Sequence, residues 1–150
     1  MSRERRYRLA LNEGSWREVA RRHTEDSRIL AREKRFIGAI YLKGYAIECT
    51  LKAMLLANHD IMQMAGKHES KLRERLKKKY FSGAKSHELL LLLDGLLIGD
   101  EGRNVRLRSS ISRFADTWKV ALRYSNPRIC PTEARDVLGL ADDILVELRA

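Results

Sequence analysis

Between Phe36 and Ala57 the chain carries apolar or small side chains on almost every side of a helical wheel: Phe36, Ile37, Ala39, Ile40, Leu42, Tyr45, Ala46, Ile47, Cys49, Leu51, Ala53, Met54, Leu55 and Leu56. A helix that is greasy nearly all round has no face to give to water and must lie in the centre of a bundle, covered by other elements. Gly38 and Gly44 interrupt it, each weakening a helix by up to about 1 kcal/mol relative to alanine. Close approach of a neighbouring helix is the expected compensation.

The rest of the sequence supplies the cover. From Ser15, Trp16, Val19, Ala20, His23, Ser27, Leu30 and Ala31 recur mostly at steps of three and four, with arginines and acids between them, as one face of an amphipathic helix does. Leu72, Leu76 and Tyr80 give a sparser series, which predicts a peripheral helix. Ser86 is a candidate N-cap for a helix running to Leu96 or Leu97, with Glu88 in its first turn. Gly99 to Asn104 reads as a polar break. Leu107, Ile111, Phe114, Ala115, Trp118, Ala121 and Leu122 mark a further helix that Pro127 and Pro131 end, and the last opens at Thr132. No segment has the alternation of a strand. The expectation is all-α: an up-and-down helical bundle of about five helices, two of them long, central and antiparallel. Residues 1–13 are expected to form a basic, disordered leader and residues 14–150 a single domain, a length sufficient for one core.

Charge narrows the partners. The net +10 is concentrated in residues 1–35 (+5), 67–85 (+6) and 101–128 (+5), whereas residues 86–100 and 132–149 are each −3. Such a field attracts polyanions, less strongly as salt rises. Cys49 and Cys130 show neither a disulfide framework nor metal-ligand spacing, so both are expected to be reduced thiols in a cytoplasmic protein. No membrane span is expected: Leu89 to Ile98 is the greasiest stretch, but it is short and carries Asp94. The N-terminus lacks the apolar core of a secretory signal. No glycine-rich phosphate loop, zinc spacing or paired-carboxylate motif emerges, so no cofactor and no metal are expected.

Three segments stand in a recognisable order: Tyr41-Leu42-Lys43-Gly44-Tyr45-Ala46-Ile47-Glu48-Cys49-Thr50-Leu51-Lys52-Ala53-Met54-Leu55, then Lys85-Ser86-His87-Glu88-Leu89, then Trp118 with Leu122-Arg123-Tyr124. Over roughly residues 14–149 the chain resembles the HEPN family (higher eukaryotes and prokaryotes nucleotide-binding). The resemblance implies a helical bundle that forms a homodimer, often encoded beside a minimal nucleotidyltransferase in a toxin–antitoxin or defence system. In many branches it also implies RNA cleavage by an arginine followed, four to six residues later, by a histidine in the later half of the bundle. Here Arg103-Asn104 is followed by no histidine, and none occurs after His87. Arg17 and His23 have the spacing, but on different faces of the first helix. The departure argues against the family's usual ribonuclease mechanism.

The residues then divide by chemistry. Lys71, Arg75, Lys77, Lys78 and Lys79, with Arg103, Arg106 and Arg108, are the candidates to engage phosphates without reading sequence. Arg123 and Tyr124 suit a phosphate contact and a stacked base, or equally an anchor for the following loop. Glu48 and Lys52, four apart in the favourable orientation, read as a structural ion pair or as the wall of a polar groove. The first reading is a non-catalytic module binding RNA or a nucleotide. The alternatives are a metal-independent endoribonuclease using His87 with Arg123 for acid–base work, and a structural partner burying apolar helix faces against another protein.

Overall fold

The computed structural model describes residues 13–57, 88–96, 101–118 and 128–149. They form five helices and, among the described residues, no strand: α1 (Glu13–Arg32), α2 (Phe36–Ala57), α3 (Leu89–Gly95), α4 (Glu101–Thr117) and α5 (Pro131–Arg149). The chain is an all-α helical bundle, as the apolar periodicity requires.

α1 and α2 make a helical hairpin across a three-residue turn. The turn is a Schellman motif without its usual glycine: Arg35 N–H donates to the Leu30 carbonyl at 2.8 Å and Lys34 N–H to the Ala31 carbonyl at 3.0 Å, while Lys34 takes the left-handed conformation at φ 57°. A β-carbon is strained there by about 1–2 kcal/mol. Lys34→Gly is therefore expected to raise the unfolding free energy by about 0.5–1 kcal/mol, less than the strain because glycine also frees the unfolded chain. Urea denaturation measures it, and an unchanged or lower midpoint would contradict the account.

The hairpin is closed by the face read from the sequence. Ala20 and Ser27 are buried, Trp16, Val19, His23, Leu30 and Ala31 half-buried, and Thr24 joins them, its hydroxyl donating to the Ala20 carbonyl at 2.9 Å. Ser27 Oγ donates to the Ala39 carbonyl of α2 at 2.7 Å, a buried bond between the two helices. Arginines and acids take the outer side.

One helix, not two, holds the centre among the described residues. α2 packs against α1, α3 and α5, whereas α1 packs chiefly on α2 and keeps its charged side in water. The reason is composition: of the long helices only α2 is apolar nearly all round, and Ile40, Ile47 and Leu51 are fully enclosed. Leu92 of α3, Leu107, Ile111 and Phe114 of α4, and Ala134, Leu138, Ala141, Ile144, Leu145 and Leu148 of α5 complete the core.

Helix ends differ from the sequence-based expectation at both ends of α3 and of α4. α3 is capped by Glu88, whose side chain makes no capping bond, rather than by Ser86, and it stops at Gly95. α4 already includes Glu101 to Asn104, the later part of the break expected from Gly99 to Asn104, and continues through the buried Leu107. It ends at Thr117, well short of Pro127; Trp118 leaves the helix, although its N–H still reaches the Phe114 carbonyl at 2.9 Å. Pro131 opens α5 where a missing N–H costs nothing, and Glu133 N–H donates to Cys130 Sγ at 3.4 Å.

Candidate functional site

Polar groups are built into the one helix that should not tolerate them. Lys43, Glu48 and Lys52 of α2 are each buried to within 3% of full enclosure. A charge held there needs a partner, since lone burial is far costlier than any packing gain. Lys52 Nζ lies 2.8 Å from Glu48 Oε1 and 5.0 Å from the centroid of the Trp16 ring, which α1 lays over it. Lys43 Nζ reaches Asp142 of α5 at 2.6 Å, and the far carboxylate is half-exposed. The Glu48–Lys52 pair thus lies in the interior under Trp16, as a structural ion pair, and not on the wall of an open groove. Spacing alone could not separate those readings; the cover from α1 does.

Along the same seam stands an aromatic series. Tyr41 and Tyr45 share a hydrogen bond between their hydroxyls at 2.9 Å, and their rings meet edge-on at 4.9 Å. Tyr45 is flanked by His23 of α1 at 5.9 Å and by Trp118 at 5.5 Å. Trp118 Nε1 donates to the Tyr41 carbonyl at 3.0 Å, and its indole lies over Gly44: an alanine β-carbon there would fall 2.0 Å from Nε1. Gly44 is therefore the seat of Trp118. A β-carbon added at Gly38 would lie 3.2 Å from Leu30 Cδ1 of α1, the close approach of a neighbouring helix expected there.

Burial holds the His23 imidazole below its ordinary range; Asp26 and Glu48 oppose that shift and Arg22 adds to it. His23 is thus neutral at pH 7, a packed ring against Tyr45, while Arg17 lies on the exposed face of α1. The two residues with ribonuclease-like spacing do not share a face. Cys49 is buried and its thiol is pushed up to about 12, chiefly by desolvation and then by Glu48, so it is inert as a nucleophile.

The cationic candidates fall in two groups. Arg106 and Arg108 of α4 are exposed, and each has an acid beside it: Arg106 lies 3.6 Å from Glu147, and Arg108 is paired with Asp94. Exposed pairs of this kind are worth about 0–1 kcal/mol, so a phosphate competes for either arginine at little cost. Arg103 also belongs to α4, with its side chain outside the described part. Lys71, Arg75, Lys77, Lys78, Lys79, His87, Arg123 and Tyr124 lie outside the described residues. Elsewhere, exposed cations run along α1 and its turn as Arg17, Arg21, Arg22, Arg28, Arg32, Lys34 and Arg35, while Glu133, Asp136, Asp142 and Asp143 make the outer side of α5 acidic. Among the described residues no group of three or more histidine, cysteine or carboxylate side chains stands ready for a metal ion, and no helix is long and apolar enough to cross a membrane.

No family model matches the chain, and no match was found among the curated proteins or among the solved structures. The residues themselves carry the functional reading.

Proposed function

We propose that the chain is a non-catalytic, HEPN-like module that binds single-stranded RNA or a nucleotide through its cationic surface, acting as a cytoplasmic homodimer alongside a separately encoded nucleotidyltransferase. The reading is carried by the uneven charge: a net +10 with eight cations in residues 67–85, and arginines on the solvent sides of α1 and α4. Phosphates are engaged by such side chains wherever they stand in water, and the affinity is sequence-independent and salt-dependent. The buried pair Glu48–Lys52 and the Trp118 seat belong to stability, not to binding, because neither offers an open surface.

An electrophoretic shift of single-stranded RNA at two salt concentrations tests the proposal. Affinity is expected to fall as salt rises, with a logarithmic slope of about 0.7 per phosphate engaged. Replacing Lys71, Arg75, Lys77, Lys78 and Lys79 together by glutamine is expected to weaken binding by more than about tenfold, since each phosphate contact is worth a fraction of the total. Replacing Arg106 and Arg108 is expected to weaken it less, because each has an acid to give up. The RNA should remain intact in EDTA at high protein concentration. Salt-independent binding would overturn the proposal, and cleavage abolished by His87→Ala would establish the endoribonuclease in its place.

A further inference from the structure

A cavity of about 390 Å³ opens where the start of α2, the end of α4 and the start of α5 meet. Its size falls in the range of small-molecule sites, about 300–1,000 Å³. The apolar part of its lining is aliphatic, Ile37 and Ile40 from α2, Val137 from α5, and Ile129 from the segment entering α5. The polar part is Thr117 with three exposed charged side chains, Arg128, Glu133 and Asp136.

Several charges among the described residues are already matched by a partner. Arg21 is bracketed by Glu18 and Glu25, Lys43 holds Asp142, and Arg106 and Arg108 each lie against an acid. Among the described residues, by contrast, no ion pair joins Arg128 to Glu133 or Asp136, although all three border one opening. Glu133 and Asp136 are one turn apart on α5, so two carboxylates stand together and repel. The neighbouring cation, Arg135, is directed instead over the Phe36 ring at 6.0 Å. The opening therefore presents two like charges that want a cation, one guanidinium suited to a carboxylate, and an aliphatic floor.

We propose that this cavity binds a small zwitterion with an apolar body, an α-amino acid such as leucine or phenylalanine: its ammonium faces Asp136 and Glu133, its carboxylate faces Arg128, and its side chain covers Ile37, Ile40, Ile129 and Val137. An amine alone leaves Arg128 without a partner, and a carboxylic acid alone meets the two acids of α5. Only a molecule carrying both charges next to an apolar group matches every side. The site is separate from the cationic surface on which the RNA-binding reading rests, so the two proposals stand or fall independently.

Calorimetric titration of the full chain decides it. L-Leucine or L-phenylalanine is expected to saturate one site per chain. Isopentylamine, 4-methylpentanoate and glycine, which lack the carboxylate, the ammonium and the apolar body in turn, are expected to bind at least about tenfold more weakly, ~1.4 kcal/mol. Asp136→Asn and Arg128→Gln should each weaken leucine binding by about tenfold. Both side chains are exposed, so the thermal midpoint should be unchanged. The proposal is overturned if neither amino acid saturates the chain up to about 10 mM, where binding is worth only some 3 kcal/mol. It is overturned equally if isopentylamine binds as well as leucine, or if both variants keep the parent affinity.

Discussion

Gly44→Ala is expected to destabilise the chain by about 3 kcal/mol or more, a large part of the stability of a domain this size. The added β-carbon would lie 2.0 Å from Trp118 Nε1 and 2.1 Å from Cε2, far inside van der Waals contact with the indole. Helix propensity favours alanine over glycine by about 1 kcal/mol, so the sign of the result discriminates between local preference and packing. Packing wins because Trp118 has nowhere to go: it is 4% exposed, hydrogen-bonded to the Tyr41 carbonyl, and packed against Tyr45 and Phe114. Expelling the indole loses that bond, worth about 1 kcal/mol, along with its buried area. A urea series followed by circular dichroism measures the cost. In a Trp118→Ala background the same substitution should be nearly neutral or stabilising, and the difference is the coupling between the two sites. A stabilising effect of Gly44→Ala on its own would show that the Trp118 indole does not fill the space over Gly44.

The buried pair of α2 should give the second large effect. Glu48→Gln leaves the Lys52 ammonium enclosed with no carboxylate at 2.8 Å, and removing one member of a buried pair costs about 3–5 kcal/mol. The ring of Trp16 at 5.0 Å offsets part of that, since a desolvated cation over an indole gains about 2 kcal/mol. Replacing both charges, Glu48→Leu with Lys52→Met, should recover most of the loss, because two apolar side chains of similar volume need no desolvation. Equal losses in the single and double variants would mean that the pair matters through shape and not through charge. Chemical denaturation of the parent and the two variants at one pH is sufficient.

Much of this was legible in the residues. The run from Phe36 to Ala57 carried its own burial, and the faces of α1 and α5 followed from apolar steps of three and four. The two mid-helix glycines pointed to close approach by a neighbouring helix: Leu30 of α1 meets Gly38 as expected, whereas Gly44 is met by Trp118, just past the end of α4. Which side chain lies over Gly44 was not legible: Trp118 is 74 residues further along the chain and outside any helix. Lys43 with Asp142 was hidden for the same reason, being 99 residues apart. The turn at Lys34 carried no signal because its left-handed residue is neither glycine nor asparagine. The cavity at the mouth of α5 draws on three elements that have no periodicity in common.

Local rules act within a turn or two of helix, over which side-chain spacing and capping are fixed by backbone geometry. They sufficed to make the described residues helical, to place the most apolar helix at the centre, and to leave the arginines of α1 in water. Decisions that depend on which atoms from distant segments come within a few ångströms belonged to the tertiary structure. It chose the indole over Gly44, put Trp16 over the Glu48–Lys52 pair so that the pair is interior, and left Arg128 unjoined to Glu133 and Asp136 around one cavity. Those contacts are set by how whole helices pack, and a side chain's neighbours across an interface cannot be read from its neighbours along the chain.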